Sequence, residues 1–250
     1  MLQRFKQRNY KPERIDIGDY TLEEYERCIV ELQLVNRWLG DARVLRDTLL
    51  RDVTAQNLAD FSVLDVGAGS GELLRVASNW AHQNKRRLRG VGLELNERSA
   101  QAIMEESNSS INAVRGNALE LPFADAQFDY VICSLFTHHF VDEKVVDVFR
   151  EMSRVARRRI FVIDLHRHPI AYLLYTTVGK LFLHTSLLRE DGALSILRSF
   201  TADELSALGR QAGLQEISVR RHFPFRLVLS AVADGATAYT APRISTNKAA

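Results

Sequence analysis

The stretch Val63-Leu64-Asp65-Val66-Gly67-Ala68-Gly69-Ser70-Gly71-Glu72-Leu73-Leu74 decides the fold. A short apolar run closes on an acidic residue, three glycines follow at alternate positions, and a helical pattern begins. The pattern reads as a buried strand, a tight turn and a helix N-terminus, an α/β arrangement suited to a nucleotide-like ligand. Glycine lets the backbone approach a ligand where a Cβ would collide. A dinucleotide-binding G-x-G-x-x-G would need its third glycine at position 72, and Glu72 stands there.

Downstream of this turn, strand and helix patterns alternate. Strands are expected at Ser62–Val66, Leu88–Leu93, Ile111–Arg115, Tyr130–Leu135 and Arg159–Asp164, with helices through Leu73–Trp80, near Glu97–Glu106 and around Val145–Met152. Such alternation implies a parallel sheet covered on both faces. Two late strands, Glu216–His222 and Arg226–Ala233, are joined only by Phe223-Pro224-Phe225. So short a link allows antiparallel pairing and excludes a helical crossover.

Upstream, residues 1–19 are polar and basic and read as a loose arm. Thr21 and Glu24 fit a capping box for a helix carrying Leu22, Tyr25, Ile29, Leu32, Val35 and Leu39. Gly40 stops it, and Asp41 caps a second helix with Val44, Leu45, Leu49 and Val53. This pair either packs on the sheet or covers the ligand site. The divisions expected are an arm and helical cover over 1–59, a ligand-binding domain over 60–233 and a flexible tail over 234–250. Within the domain, residues 165–200 form an insertion with the apolar run Pro169–Tyr175 and then Val178, Leu181, Phe182 and Leu183. It leaves the carboxyl end of a strand, where open α/β sheets bind ligands, and so reads as a lid or apolar wall.

Composition narrows the classes. The chain has 250 residues, 46% hydrophobic and 26% charged, ordinary for a globular protein with a real core. A net charge of +2 offers no global reason to bind nucleic acid or an anionic membrane. The basic runs Lys85-Arg86-Arg87 and Arg157-Arg158-Arg159 fall at amino ends of strands, opposite the ligand edge, and read as solvated loops. Cys28 and Cys133 form no CxxC pair, so neither a zinc spacing nor a disulfide framework is visible. No secretory signal or membrane span is evident, which makes a cytoplasmic protein the default. Oligomeric state is left open.

The Asp-x-Gly-x-Gly-x-Gly turn resembles motif I of class I S-adenosylmethionine (SAM)-dependent methyltransferases. Three further segments strengthen that resemblance. Glu94 closes the second strand, 27 positions after Gly67, where a carboxylate can accept from both hydroxyls of a ribose. Gly116-Asn117-Ala118-Leu119-Glu120-Leu121-Pro122-Phe123 is similar to the family's segment after strand three, with Asn117 in place of the commoner aspartate. Its amide oxygen can still accept, or can instead make an Asx-type turn. Phe128-Asp129-Tyr130-Val131-Ile132-Cys133-Ser134-Leu135-Phe136-Thr137-His138-His139-Phe140 resembles the family's segment around strand four in small-molecule enzymes, including quinone-biosynthesis methyltransferases.

The resemblance covers roughly residues 60–233. It implies a Rossmann-like, seven-stranded, mostly parallel sheet with a terminal antiparallel hairpin, an N-terminal helical extension and a helical insertion after strand five. It implies SAM as donor, held by Asp65, Gly67, Ala68, Gly69, Gly71, Glu94, Leu95, Asn117, Ala118 and Ser134. The apolar insertion suggests a small, fairly apolar, hydroxylated acceptor, phenolic or polyketide-like, methylated on oxygen. His184–Phe200 adds a weaker likeness to bacterial methyltransferases found beside type III polyketide synthases. A hydroxyl acceptor needs a base, and the candidates are His139, then His138 and His166. His166 or Arg167, in Asp164-Leu165-His166-Arg167-His168-Pro169, could instead orient an acidic or phenolic substrate. No carboxylate at ligand spacing joins these histidines, so no metal is expected. The rival functions are C-methylation of a quinone precursor, RNA or protein methylation, and a non-catalytic SAM-binding module. The Asn/Asp-Pro-Pro-Tyr/Phe segment of nucleic-acid amino methyltransferases is replaced by Ser134-Leu135-Phe136-Thr137.

Overall fold

A computed structural model describes residues 2–38, 40–105 and 110–235. The helices are α1 (Arg14–Ile17), α2 (Leu22–Trp38), α3 (Asp41–Leu45), α4 (Arg51–Ala55), α5 (Glu72–Gln83), α6 (Glu97–Glu105), α7 (Asp142–Val155), α8 (Pro169–Thr177), α9 (Ser186–Arg198) and α10 (Ala202–Gln211). The strands are β1 (Asp60–Val66), β2 (Arg87–Glu94), β3 (Ile111–Arg115), β4 (Phe128–Ser134), β5 (Ala156–Leu165), β6 (Gln215–His222) and β7 (Arg226–Val232). They form one sheet in the order β3-β2-β1-β4-β5-β7-β6. β1 to β5 pair in parallel, whereas β7 runs antiparallel to both β5 and β6. Every strand expected from sequence is present.

The central strands are buried on both faces over Phe61–Val66, Phe128–Cys133 and Ile160–Asp164, where apolar residues predominate. One face packs against α7 and α10 through residues such as Leu64, Val131, Val148, Phe149 and Leu205. The other packs against α3 to α6 through Val63, Ile132, Leu49, Val53, Leu74 and Ile103. A π-helical turn, Arg46–Leu50, joins α3 to α4 into one continuous rod. The two N-terminal helical segments divide the roles foreseen for them. The α3–α4 rod is core, with Val44, Leu45, Leu49 and Val53 nearly inaccessible. Helix α2 instead joins the insertion: Cys28, Leu32 and Val35 pack with Leu183, Leu187, Leu188 and Tyr175. Leu39, Glu106 and residues 236–250 of the expected tail lie outside the described residues.

Two expectations are corrected here. The first concerns residues 1–19, which do not form a loose arm. Arg8 is buried, donating to the Arg198 carbonyl at 2.7 Å and the Phe140 carbonyl at 3.0 Å, and it pairs with Asp142. Asp191 of α9 accepts from the Arg14 and Ile15 amides at 2.8 and 2.9 Å. A polar segment can be ordered when its charges find buried partners, and hydropathy does not reveal those.

The second concerns the basic runs, which are at the amino edge as expected but are partnered rather than simply solvated. Arg87 pairs with Asp60, and Arg157 and Arg158 both reach Asp129 at 3.3 Å. Asp129 also accepts from the Ser62 amide and hydroxyl at 2.9 Å, tying β4 to β1. Among the described residues, no helix is long and apolar enough to cross a membrane.

Candidate active site

A cavity of about 960 Å³ opens at the carboxyl ends of β1, β4 and β5. Its floor is the glycine turn. Gly67, Gly69 and Gly71 all have positive φ, 71°, 57° and 80°. A Cβ on Gly67 would lie 2.4 Å from the Phe136 ring, whereas one on Gly69 would meet nothing within 4 Å. The first glycine therefore serves packing, and the second leaves open backbone facing the cavity. Asp65, Gly67, Ala68, Gly69 and Ser134 line it. Two polar atoms on this floor, Asp65 Oδ1 and Ser134 Oγ, are buried without a protein hydrogen-bond partner. Buried polar atoms are rarely left so unless a ligand or water completes them. Burial, with Glu94 nearby, raises the Asp65 carboxyl to about 8.

Glu94 sits where β2 ends, beside this floor, and its Oε1 accepts from the Gly69 amide at 2.5 Å. Burial raises its pKa, and the Gly69 and Leu95 amides oppose the shift. One carboxylate oxygen thus braces the turn and the other can take a ribose. Gly71 caps α5 in a left-handed conformation. Leu95 is exposed, and Asn117 and Ala118 follow β3 outside the cavity walls. Asn117 Oδ1 accepts from the Leu119 amide at 3.0 Å, the Asx-type alternative. That leaves one lone pair for a ligand.

The acceptor end is walled by α2, α8 and α9, through Tyr25, Ile29, Leu174, Val178, Phe182 and Ile196. The insertion is tied down: Glu31 of α2 accepts from the Thr185 amide and hydroxyl at 3.1 and 2.9 Å. At its polar apex are His138 and His139, in the turn after β4. Leu135, with φ 51°, redirects the chain there. Each imidazole is held by a carboxylate. His138 Nδ1 lies 2.6 Å from Asp164 Oδ1, and His139 Nδ1 lies 2.9 Å from Asp16 Oδ1. Burial alone would raise the Asp164 carboxyl. The facing His138, its hydrogen bond and those from Thr137 and Leu165 outweigh burial and hold Asp164 at about 2. His138 is buried, whereas His139 retains 27% of its side-chain exposure.

Between the two imidazoles stands Glu13, 3.9 Å from His138 Nε2 and 3.8 Å from His139 Nδ1. Burial, reinforced by Asp16, raises it to about 7 against the opposing influence of His139, Ser195 and Arg198. Ser195 Oγ donates to Glu13 Oε1 at 2.9 Å. Arg198 donates to the His138 and His139 carbonyls at 3.1 and 2.5 Å, and its Nε lies 3.7 Å from Glu13. The expectation that no carboxylate joins the histidines is therefore corrected, because ligand atoms of Glu13, His138 and His139 fall within 4.8 Å of one another. That donor set could hold a divalent ion. The Arg198 guanidinium against Glu13 and a carboxylate on each Nδ1 suit proton handling instead.

His166 also lines the cavity, and its imidazole is pushed down to about 4, first by burial and then by Arg221, His168 and Arg167. It is neutral at physiological pH. Arg167 cannot orient a substrate, since it donates to the Ser199 carbonyl at 2.7 Å and to Glu204 at 2.5 Å, away from the cavity. His168 caps α8, its Nδ1 accepting from the Ile170 amide at 3.2 Å. In the far wall Arg226 donates to Asp41 at 2.6 Å while its Nη2 lacks a protein acceptor.

Glu13, Asp16, Asp191, Ser195 and Arg198 were not foreseen as site residues. Asp191, Ser195 and Arg198 fall at i, i+4 and i+7 on one helix, a polar stripe visible in sequence. Nothing local marks Glu13 or Asp16.

The fold and this floor define a Rossmann-like protein built to hold a nucleoside at the carboxyl edge of its sheet. The family profile of a methyltransferase domain matches residues 64–163. An uncharacterized methyltransferase of Bacillus subtilis is 30% identical over 159 residues, covering 61% of this chain and 60% of its own. A demethylmenaquinone methyltransferase of Bacillus licheniformis is 29% identical over 181 residues, 66% of this chain and 73% of its own. Human N-acetylserotonin methyltransferase in complex with SAM shares the fold at a TM-score of 0.59 and 16% identity, covering 91% of this chain and 63% of that one. Magnesium protoporphyrin IX methyltransferase from Synechocystis with bound S-adenosylhomocysteine gives 0.53 at 16% identity, covering 78% and 84%. The chain thus spans about 60% of the Bacillus subtilis relative. Residues 64–163 thus match a methyltransferase domain, on a fold shared with SAM-dependent methyltransferases of known structure.

Proposed function

We propose that the protein transfers a methyl group from SAM to the hydroxyl of a small, fairly apolar acceptor, phenolic or polyketide-like. The observation that carries this reading is one cavity with two chemically distinct ends. The floor of glycine turn, orphaned Asp65 and Ser134 oxygens and neighbouring Glu94 fits the nucleoside and amino acid ends of the donor. The remainder is largely apolar along α2, α8 and α9, with an apex of paired imidazoles and carboxylates and the Arg226–Asp41 pair in the far wall.

SAM supplies an activated methyl group on a sulfonium, which needs no further chemical activation. The chain's task is then alignment, holding the acceptor oxygen within about 3–3.5 Å of the methyl carbon. The apolar walls on α2, α8 and α9 offer water few polar partners. A hydroxyl must also lose its proton as the new bond forms. His139 is the leading base, because Asp16 selects the tautomer protonated on Nδ1 and leaves Nε2 to accept. His138, fixed by Asp164, backs it, and Glu13 between them can share the proton. His166 stays neutral and contributes wall and polarity. The approach to the nucleoside adenine by Asn117 and Ala118 belongs to this proposal, as do the contacts of Leu95 and Gly71.

Titration calorimetry with SAM, combined with turnover on a panel of phenols, tests the reading. Glu94→Ala is expected to weaken SAM binding at least about tenfold, the loss of a charged hydrogen-bond acceptor. Absence of SAM binding by the unaltered protein removes the proposal. A protein that binds SAM and methylates a quinone ring carbon, RNA or protein while sparing every phenol would replace the acceptor half.

A further inference from the structure

The insertion exposes apolar side chains in one place. From Pro169 to Phe182, Ile170, Leu173, Leu174, Val178, Leu181 and Phe182 are all exposed, the last two at 73% and 70%. Scattered exposed leucines need no explanation, but a cluster on one short helical hairpin marks an interaction surface. Leu174, Val178 and Phe182 belong to this patch and also line the cavity, as does exposed Val30 of α2. The cavity therefore opens to the outside through the patch.

The charge on the insertion itself has one sign. No aspartate or glutamate occurs from Leu165 to Arg189, while exposed Lys180 sits inside the apolar run. Exposed Arg4 and Lys6 lie alongside, since Arg4 Nη1 donates to the Tyr172 hydroxyl at 3.3 Å and the Phe5 ring meets the Tyr172 ring edge-on at 5.7 Å. On the α2 side Glu31 is taken by Thr185, and exposed Glu26 lines the cavity beside Val30.

We infer that the face formed by α8, the turn to Phe182 and the basic segment Arg4–Lys6 docks on an anionic lipid bilayer, admitting an apolar acceptor directly from the lipid. Apolar side chains ringed by Lys and Arg match the headgroup boundary, where the chains bury in the acyl region and the cations meet lipid phosphates. A second copy of the chain is a poorer occupant. A two-fold contact of this face would bring two sets of cations, Lys180, Arg4 and Lys6, into one interface, and like charges in apposition are unfavourable. Bilayer docking goes beyond the proposed reaction and is measured without turnover, so the two can fail separately.

The test is flotation of the full chain with vesicles of phosphatidylcholine, alone or mixed with phosphatidylglycerol. The protein is expected to float with the mixed vesicles, less with phosphatidylcholine alone, and less again at high salt. Leu173→Gln with Leu181→Gln, which are not among the residues lining this cavity, should lower partitioning at least about tenfold while leaving SAM affinity unchanged as a check on folding. Lys180→Gln should weaken binding several-fold on the anionic vesicles only. The inference is overturned if the protein floats with neither lipid, or if the double variant floats like the parent. It is also overturned if the protein is a dimer in solution that the double substitution dissociates while vesicle binding is absent.

Discussion

The two ends of the cavity are built in opposite ways. The donor floor comes from one short piece of chain and its immediate neighbours in the sheet. Asp65, Gly67 and Gly69 fall at alternate positions on β1 and its turn, and Glu94 reaches them because β2 lies beside β1 in register, with Val66 opposite Leu93. The acceptor apex is gathered from three distant segments. Glu13 and Asp16 come from the N-terminus, His138 and His139 from the turn after β4, and Ser195 and Arg198 from α9. A floor fixed by local backbone geometry suits a ligand that never changes. An apex fixed by long-range side-chain pairs can be respecified without disturbing the floor.

Substitutions can break this contrast, beginning with the floor. Gly67→Val places a side chain in a ring already 2.4 Å away and forces a β-branched residue to φ 71°. Loss of measurable SAM binding is expected by calorimetry, with a fall in stability of at least about 1–3 kcal/mol from backbone strain alone. At the apex, His139→Ala should leave SAM affinity nearly unchanged and lower kcat by about 10²–10⁴-fold, the usual contribution of a general base. Intact turnover in that variant would make His139 structural.

The next prediction concerns pH. The folded protein binds the Glu13 proton more tightly than the unfolded chain, with a pKa near 7 against an ordinary 4.5. Its contribution to stability is full below the unfolded value and is lost as pH rises towards 7, about 3 kcal/mol in all. Glu13→Gln should flatten that part of the stability profile in denaturant melts. Asp164 behaves oppositely: its pKa near 2 gives stability above pH 3.8 that is lost as pH falls through 2. The smallest effect is expected at Asn117→Ala. Its oxygen already serves the Leu119 amide, so SAM affinity should fall only a few-fold.

The same contrast explains what the sequence could disclose. The strand–helix alternation, the glycine turn and the terminal hairpin follow from periodicity and loop length, and each appears where expected. The placement of His138 and His139 at the carboxyl edge of the sheet was legible because they lie in the turn that follows β4. Glu13 and Asp16 were not, because a basic, polar segment carries no period and its order depends on partners over 100 residues away. The Asp191, Ser195 and Arg198 stripe was readable as a helix face, though not what it faces. Arg167 illustrates the converse: a promising residue beside the site is consumed by Ser199 and Glu204.

Methyl transfer from radiolabelled SAM tests the central claim most directly, with phenols of increasing apolar substitution, a quinone precursor, RNA and protein offered in parallel. The account predicts label in an organic-extractable aryl methyl ether, with KM falling as the phenol becomes more apolar. Label appearing only on ring carbon, RNA or protein, or in nothing despite tight SAM binding, would contradict it.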